Sequence, residues 1–128
     1  FVADNFNDTI TVLVNQTALG DPLQTTSLFG QTQTVYSWGI VAGAVYDVIR
    51  GQLRLAAPGA TTNNLGPVTC LANDLADADT ANSPDTTNPP VGDSYFYLVR
   101  ATVGGVAGNY TVSVPAGKPG VPASGGCP

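Results

Sequence analysis

Residues Asn109 to Val114 alternate with a period of two, Tyr110, Val112 and Val114 on one side and Asn109, Thr111 and Ser113 on the other. Successive side chains of an extended strand point to opposite faces, so such a segment buries one face and wets the other only as a β-strand. The same pattern recurs along the chain. Ile10, Val12 and Val14 share a face within Thr9 to Asn15, as do Tyr36, Trp38 and Ile40 within Thr34 to Ile40, and Tyr46 and Val48 within Ala44 to Arg50. Tyr95 to Ala101 is different, being apolar on both faces, which is how a central strand reads. Shorter strands are expected near Thr25 to Phe29 and Leu53 to Ala56. Six or seven strands at intervals of about ten residues predict an all-β sandwich of about seven strands.

Composition supports this class. Thr and Val occur 15 times each, with 15 Gly and 10 Pro. β-Branched residues suit a pleated, half-buried surface, and Gly and Pro punctuate short strands. Three segments fall outside the strand pattern. Thr69 to Asp79 carries Leu71 and Leu75 at i, i+4 among alanines, a spacing that admits one or two turns of helix. Asp79 to Asp93 reads as a long irregular polar loop with Val91 its sole apolar anchor, and Pro115 to Pro128 as a Gly/Pro tail. The 128 residues make one domain. Residues 1–30 form an N-terminal strand and extension, 32–114 the core, and 115–128 the tail. No internal repeat is evident.

Charge removes several function classes. The chain has 4 basic and 9 acidic side chains, a net charge of -5, and no His. All the acids are Asp. Without His there is no imidazole base and no histidine-ligated metal. Four basic residues on an acidic chain cannot neutralise a phosphate backbone, so nucleic acid is not an expected partner. A GxSxG motif is absent, and the usual bases with it. Asp47 is the one acid within a strand. It is expected to face solvent or to pair with Arg100, and no second acid on a rigid element completes a hydrolytic pair. No apolar run reaches about 18 residues, so no membrane span is expected. The sequence opens on Phe1 without a basic and apolar leader, which reads as a mature or trimmed form.

The two cysteines, Cys70 and Cys127, form no CxxC pair, so zinc and thioredoxin-type readings fail. They are either one disulfide or two unpaired, partly buried thiols; an oxidising, secreted setting fits the rest of the composition and favours the disulfide. The sequons Asn7-Asp8-Thr9, Asn15-Gln16-Thr17 and Asn109-Tyr110-Thr111 are compatible with that setting.

Several runs resemble fibronectin type III-like domains, a branch of the immunoglobulin-like sandwiches. Trp38, followed by Val41 to Gly51 (VAGAVYDVIRG), is similar to the family's passage from strand B to strand C. Gly92 to Ala101 (GDSYFYLVRA) is similar to strand F, with Tyr95 at the position whose hydroxyl bonds back to the backbone, a tyrosine corner. Gly108 to Thr111 looks like the start of strand G. The closest likeness is to the secreted bacterial kind, in which YDVIRG, CLANDL, YFYLVRA and a terminal CP occur together, here Tyr46 to Gly51, Cys70 to Leu75, Tyr95 to Ala101 and Cys127-Pro128. The resemblance covers residues 32 to 114 and implies a Cys70–Cys127 bridge. It departs in the long N-terminal stretch, in the insert from Gln52 to Tyr95, and in having Arg50-Gly51-Gln52 where an integrin-binding member has Arg-Gly-Asp.

Two sets of residues are candidates for function. Asp74, Asp77, Asp79, Asn82 and Asp85 offer hard oxygen ligands on a flexible segment, as calcium requires, though without the Gly and Glu of an EF-hand. Read without a metal, they cap turns. Phe1 and Phe6 lie in a polar stretch without core partners, and with Ile10, Val12 and Val14 they form a candidate assembly contact, the strand pairing with a neighbour's open sheet edge. The other aromatics sit at alternating strand positions and are read as core. The expectation is a secreted, non-catalytic structural protein, a subunit of a surface filament, pilus or adhesive assembly, with copies of itself or another subunit as partner. The alternative is a glycan- or calcium-binding module of a larger surface protein.

Overall fold

The computed structural model describes residues 2–3, 10–13, 24–26, 35–111 and 118–128. In chain order the strands are β1 (Val2–Ala3), β2 (Ile10–Leu13), β3 (Gln24–Thr26), β4 (Val35–Ser37), β5 (Ala44–Gln52), β6 (Asn63–Asn64), β7 (Val68–Leu75), β8 (Tyr95–Val103), β9 (Val106–Ala107), β10 (Tyr110–Thr111) and β11 (Pro119–Val121). A single 3₁₀ turn, Leu53–Leu55, is the one helical element among the described residues. None of their helices is long and apolar enough to cross a membrane.

The fold is organised on one antiparallel pair. β5 and β8 run against each other from Ala44↔Val103 to Gln52↔Tyr95. β7 lies outside β5, and β2 lies outside β8, with β1 beyond it, giving the order β1-β2-β8-β5-β7. β8 thus has strands on both sides, as its apolar run requires. A tight Gly104-Gly105 turn folds β9 back onto the end of β8; both glycines have positive φ, 58° and 78°, the conformation that a two-residue hairpin of this hand needs.

Alternation along β5 and β8 sorts the core into two clusters, one on each face. Tyr46 and Val48 point with Tyr95, Tyr97, Val99 and Ala101 to one side, where Tyr36 of β4 and Trp38 cover them. Ile49 points with Phe96 and Leu98 to the other, beneath Leu65, Val68, Tyr110 and Cys127. Ile49 and Tyr97 are almost wholly removed from water. A fully buried side chain of that kind contributes about 2 kcal/mol through its apolar area. On the second face lies a three-stranded layer in the order β10-β11-β6. Tyr36 and Tyr97 stack with ring centroids 4.1 Å apart, and Trp38 meets Tyr46 edge-on at 5.3 Å.

Four expectations are corrected. Ile40, read on the face of Tyr36 and Trp38, lies beyond β4 in water, and Val91, read as the apolar anchor of its loop, is also exposed. Thr69 to Asp79 is not helical: β7 occupies Val68–Leu75 and pairs with β5. An i, i+4 apolar pair lies on one face of a strand as well as of a helix, so Leu71 and Leu75 did not discriminate. The pairing skips twice, between Tyr46↔Leu75 and Val48↔Ala72 and again before Ile49↔Cys70, so β7 carries extra, bulged residues. Leu53 to Ala56 is not a strand. The chain leaves β5 at Gln52, the Leu53 amide bonds to the Ser94 carbonyl, and the Ala56 amide closes back on Leu53.

Candidate functional site

The charged residues of β5 and β8 follow the same alternation as the core. Asp47 and Arg100 are register partners on the second face. Arg50 is the register partner of Tyr97 and lies on the first. Each arginine finds a buried aspartate: Arg100 with Asp47 at 2.7 Å, Arg50 with Asp85 at 2.8 Å, Arg54 with Asp93 at 3.3 Å. The remaining cation, Lys118, donates to the Gly59 carbonyl at 2.8 Å. Each of the four basic side chains therefore has a partner within the chain, Arg54 and Lys118 at the surface.

Asp85 sits at the centre of the first network. One oxygen accepts from Arg50 at 2.8 Å, from the Thr87 amide at 3.0 Å and from the Thr87 hydroxyl at 2.7 Å. The other accepts from Arg50 and from the Tyr97 hydroxyl, each at 2.8 Å. The Arg50 guanidinium also bonds Thr87 and lies 4.4 Å above the Tyr95 ring. Burial works to raise the Asp85 pKa, but the hydrogen bonds from Thr87, Arg50 and Tyr97 prevail and hold it below the ordinary value of 3.8. A carboxylate so saturated is a weak base and has little left to offer a cation. The Tyr97 hydroxyl is pushed far up, first by burial and then by Tyr36 and Asp85.

The second network gathers more of the chain. Asp47 accepts from Arg100 Nε and, at 2.9 Å, from the Asp74 amide. Arg100 also donates to the Cys127 carbonyl at 3.2 Å and lies 5.0 Å from the Tyr110 ring. Burial first, and Asp47 besides, against the opposing pull of Arg100, push the Tyr110 hydroxyl up to about 12. Beside these groups Cys70 and Cys127 form a disulfide, so the tail is tied at one place by this bond and by the hydrogen bond from Arg100 to the Cys127 carbonyl. Asp74 has a φ of 53°, inside the bulged part of β7. Asp tolerates this left-handed conformation better than most residues, and it aims the Asp74 amide at Asp47.

Of the five oxygen donors predicted for calcium, Asp77 and Asn82 touch and the other three have separate partners. Asp85 is buried in the Arg50 network; Asp74 uses its amide; Asp79 accepts from the Ala81 amide at 2.9 Å; Asp77 accepts from Asn82 at 3.3 Å. Among the described residues no group of three acidic or cysteine side chains converges where a metal ion would sit. Of the assembly candidates, Phe1, Phe6 and Val14 lie outside the described residues, and Ile10 and Val12 lie on β2, which pairs with the chain's own β8. Tyr95 donates to the Asn88 carbonyl at 2.9 Å, the backbone bond expected of it. Sequence reasoning left Asp47 either facing solvent or paired with Arg100, and the structure buries it in the pair. That reasoning missed Arg50–Asp85 and Arg54–Asp93, whose acids come from the irregular loop, where no periodicity fixes direction.

The exposed side chains include the charged Arg54, Asp74, Asp77 and Lys118 as well as large aliphatic ones. Ile40, Val91 and Val106 are 83%, 96% and 73% exposed. A pocket of about 250 Å³ opens between Leu53, Ala56, Pro58, Leu65, Phe96 and Leu98. Comparison with family models, curated proteins and solved structures finds no match.

Proposed function

We propose that the chain is a non-catalytic, extracellular structural protein, a fibronectin type III-like sandwich that serves as a building block of a surface filament or adhesive assembly. One observation carries this reading: among the described residues the three buried acids, Asp47, Asp85 and Asp93, are each closed by an arginine, while the aliphatic side chains of Ile40, Val91 and Val106 stand in water. Ion pairs directed inward hold strands and loops in place, and exposed aliphatic side chains favour being covered. The disulfide supports an oxidising compartment. Static light scattering behind size-exclusion, with negative-stain microscopy of the same fractions, tests the reading. Concentration-dependent oligomers or filaments are expected; a monomer at every concentration overturns it.

A further inference from the structure

We propose that Asn109 is a site of N-linked glycosylation, its sugar coming from an oligosaccharide carried on a lipid pyrophosphate; this rests on the extracellular part of the reading above. Asn109-Tyr110-Thr111 has the acceptor spacing, and of the chain's three such triplets it is the one that lies within the described residues. Asn109 is exposed and stands between β9 and β10, whereas Tyr110 beside it is 3% exposed. Neighbouring side chains of an extended segment point opposite ways, so a bulky group added at 109 leaves the core untouched. Other asparagines are used by the fold. Asn63 accepts from the Gly59 amide and Asn64 from the Gly66 amide, while Asn73 donates to Asp74 and Asn82 to Asp77. The Asn109 side chain makes no hydrogen bond among the described residues, so its nitrogen is open to transfer and its modification breaks no contact.

The surroundings have room for the first sugar. A cavity of about 310 Å³ opens beside Asn109, walled also by Arg100, Tyr110, Pro122, Ser124 and Cys127. Arg100 gives Nε to Asp47 and Nη2 to the Cys127 carbonyl, which leaves Nη1 for a sugar hydroxyl. Asp47 balances the charge of Arg100, so this wall suits a neutral pyranose better than an anion. Cys127 is bonded to Cys70, and the bond that fits an oxidising compartment therefore also shapes the cavity. In the transfer the amide nitrogen of Asn109 bonds to the anomeric carbon as the bond from that carbon to the pyrophosphate oxygen breaks. The lipid pyrophosphate leaves with the electron pair, the nitrogen loses one proton, and nothing is oxidised or reduced.

The test takes the full chain from its natural source, from outside and from inside the cells. Trypsin cuts after Arg100, and mass spectrometry of the reduced peptide that begins at Ala101 reads Asn109. A peptide heavier by hexosamine and hexose units, with fragment ions that assign them to Asn109, is expected. Chain recovered outside the cells with Asn109 bare overturns the glycosylation and leaves the extracellular reading standing. Chain found inside alone, bare and with free thiols, overturns both. Variants secreted from a eukaryotic cell line check the acceptor itself. Asn109→Gln and Thr111→Ala should each lose one glycan from the intact mass, while Thr111→Ser keeps it. A glycan mass unmoved by Asn109→Gln overturns the site.

Discussion

Gly51 shows how a single residue sets the packing of the β5–β8 pair. It is the register partner of Phe96, and a Cβ placed on it would lie inside the Phe96 ring. The aromatic ring thus covers the space a side chain would take. Gly51→Ala forces Phe96 out of its place among Ile49, Leu65 and Leu98 and should cost about 2 kcal/mol, as overpacking does. A lower urea midpoint at unchanged slope is the expected result. Asp85 is the other decisive residue. Its folded pKa lies below 3.8, so its stabilisation is fully present above 3.8 and is lost as pH falls through the folded value. Asp85→Asn leaves Arg50 buried without its anion and should cost about 3 kcal/mol near neutral pH. The variant should also lose this group's share of the acid-side slope when urea midpoints are compared between pH 6 and pH 2. Neither residue's part in the fold was legible in advance, Asp85 having been read as a calcium ligand. The sequence shows a glycine in a strand and an aspartate in a loop, but not the ring or the guanidinium that meets each.

At the scale of elements, legibility followed periodicity. Tyr95 to Ala101 read as a central strand because both faces were apolar, and β8 is flanked by β5 and β2. Tyr36 and Trp38 read as one face with Ile40, and Tyr46 and Val48 as another; Tyr36, Trp38, Tyr46 and Val48 form one cluster, whereas Ile40 lies beyond the end of β4 and is 83% exposed. β7 was obscured because its bulges break the two-residue period, which left Leu71 and Leu75 open to a helical reading. The bulge has a purpose in the fold, since it turns the Asp74 amide onto Asp47. The disulfide acts at this scale too. It bridges β7 to the tail across 57 residues, and in the chain-entropy model closing such a loop contributes about 4 kcal/mol. Reduction, or Cys70→Ser with Cys127→Ser, should therefore lower the melting temperature sharply. It should also speed hydrogen exchange first in the tail and β7, where Arg100 loses a fixed Cys127 carbonyl. Equal protection of β7 in both forms would show that the ionic network alone holds that edge.

For the whole molecule the question is which surface contacts a neighbour. Lateral packing through the exposed aliphatic side chains of Ile40, Val91 and Val106 places the contact there, whereas any other interface leaves them uncovered. All three are largely in water, so replacing them with Lys disturbs no described core contact and should change stability by no more than about 0.5 kcal/mol each. The triple variant shifts the net charge from -5 by three added positive charges, to -2. Less mutual repulsion favours association at low salt, and this effect fades as the ions screen it. Lateral packing through these side chains predicts the opposite sign, a loss of assembly that persists at high salt, because a buried contact would then carry an unpaired ammonium. Sedimentation of the triple variant and the unaltered chain at low and high salt reads the difference directly. Loss of assembly at both salt concentrations is expected, since these are the side chains that favour being covered; assembly retained at high salt and modestly strengthened at low salt would place the contact elsewhere.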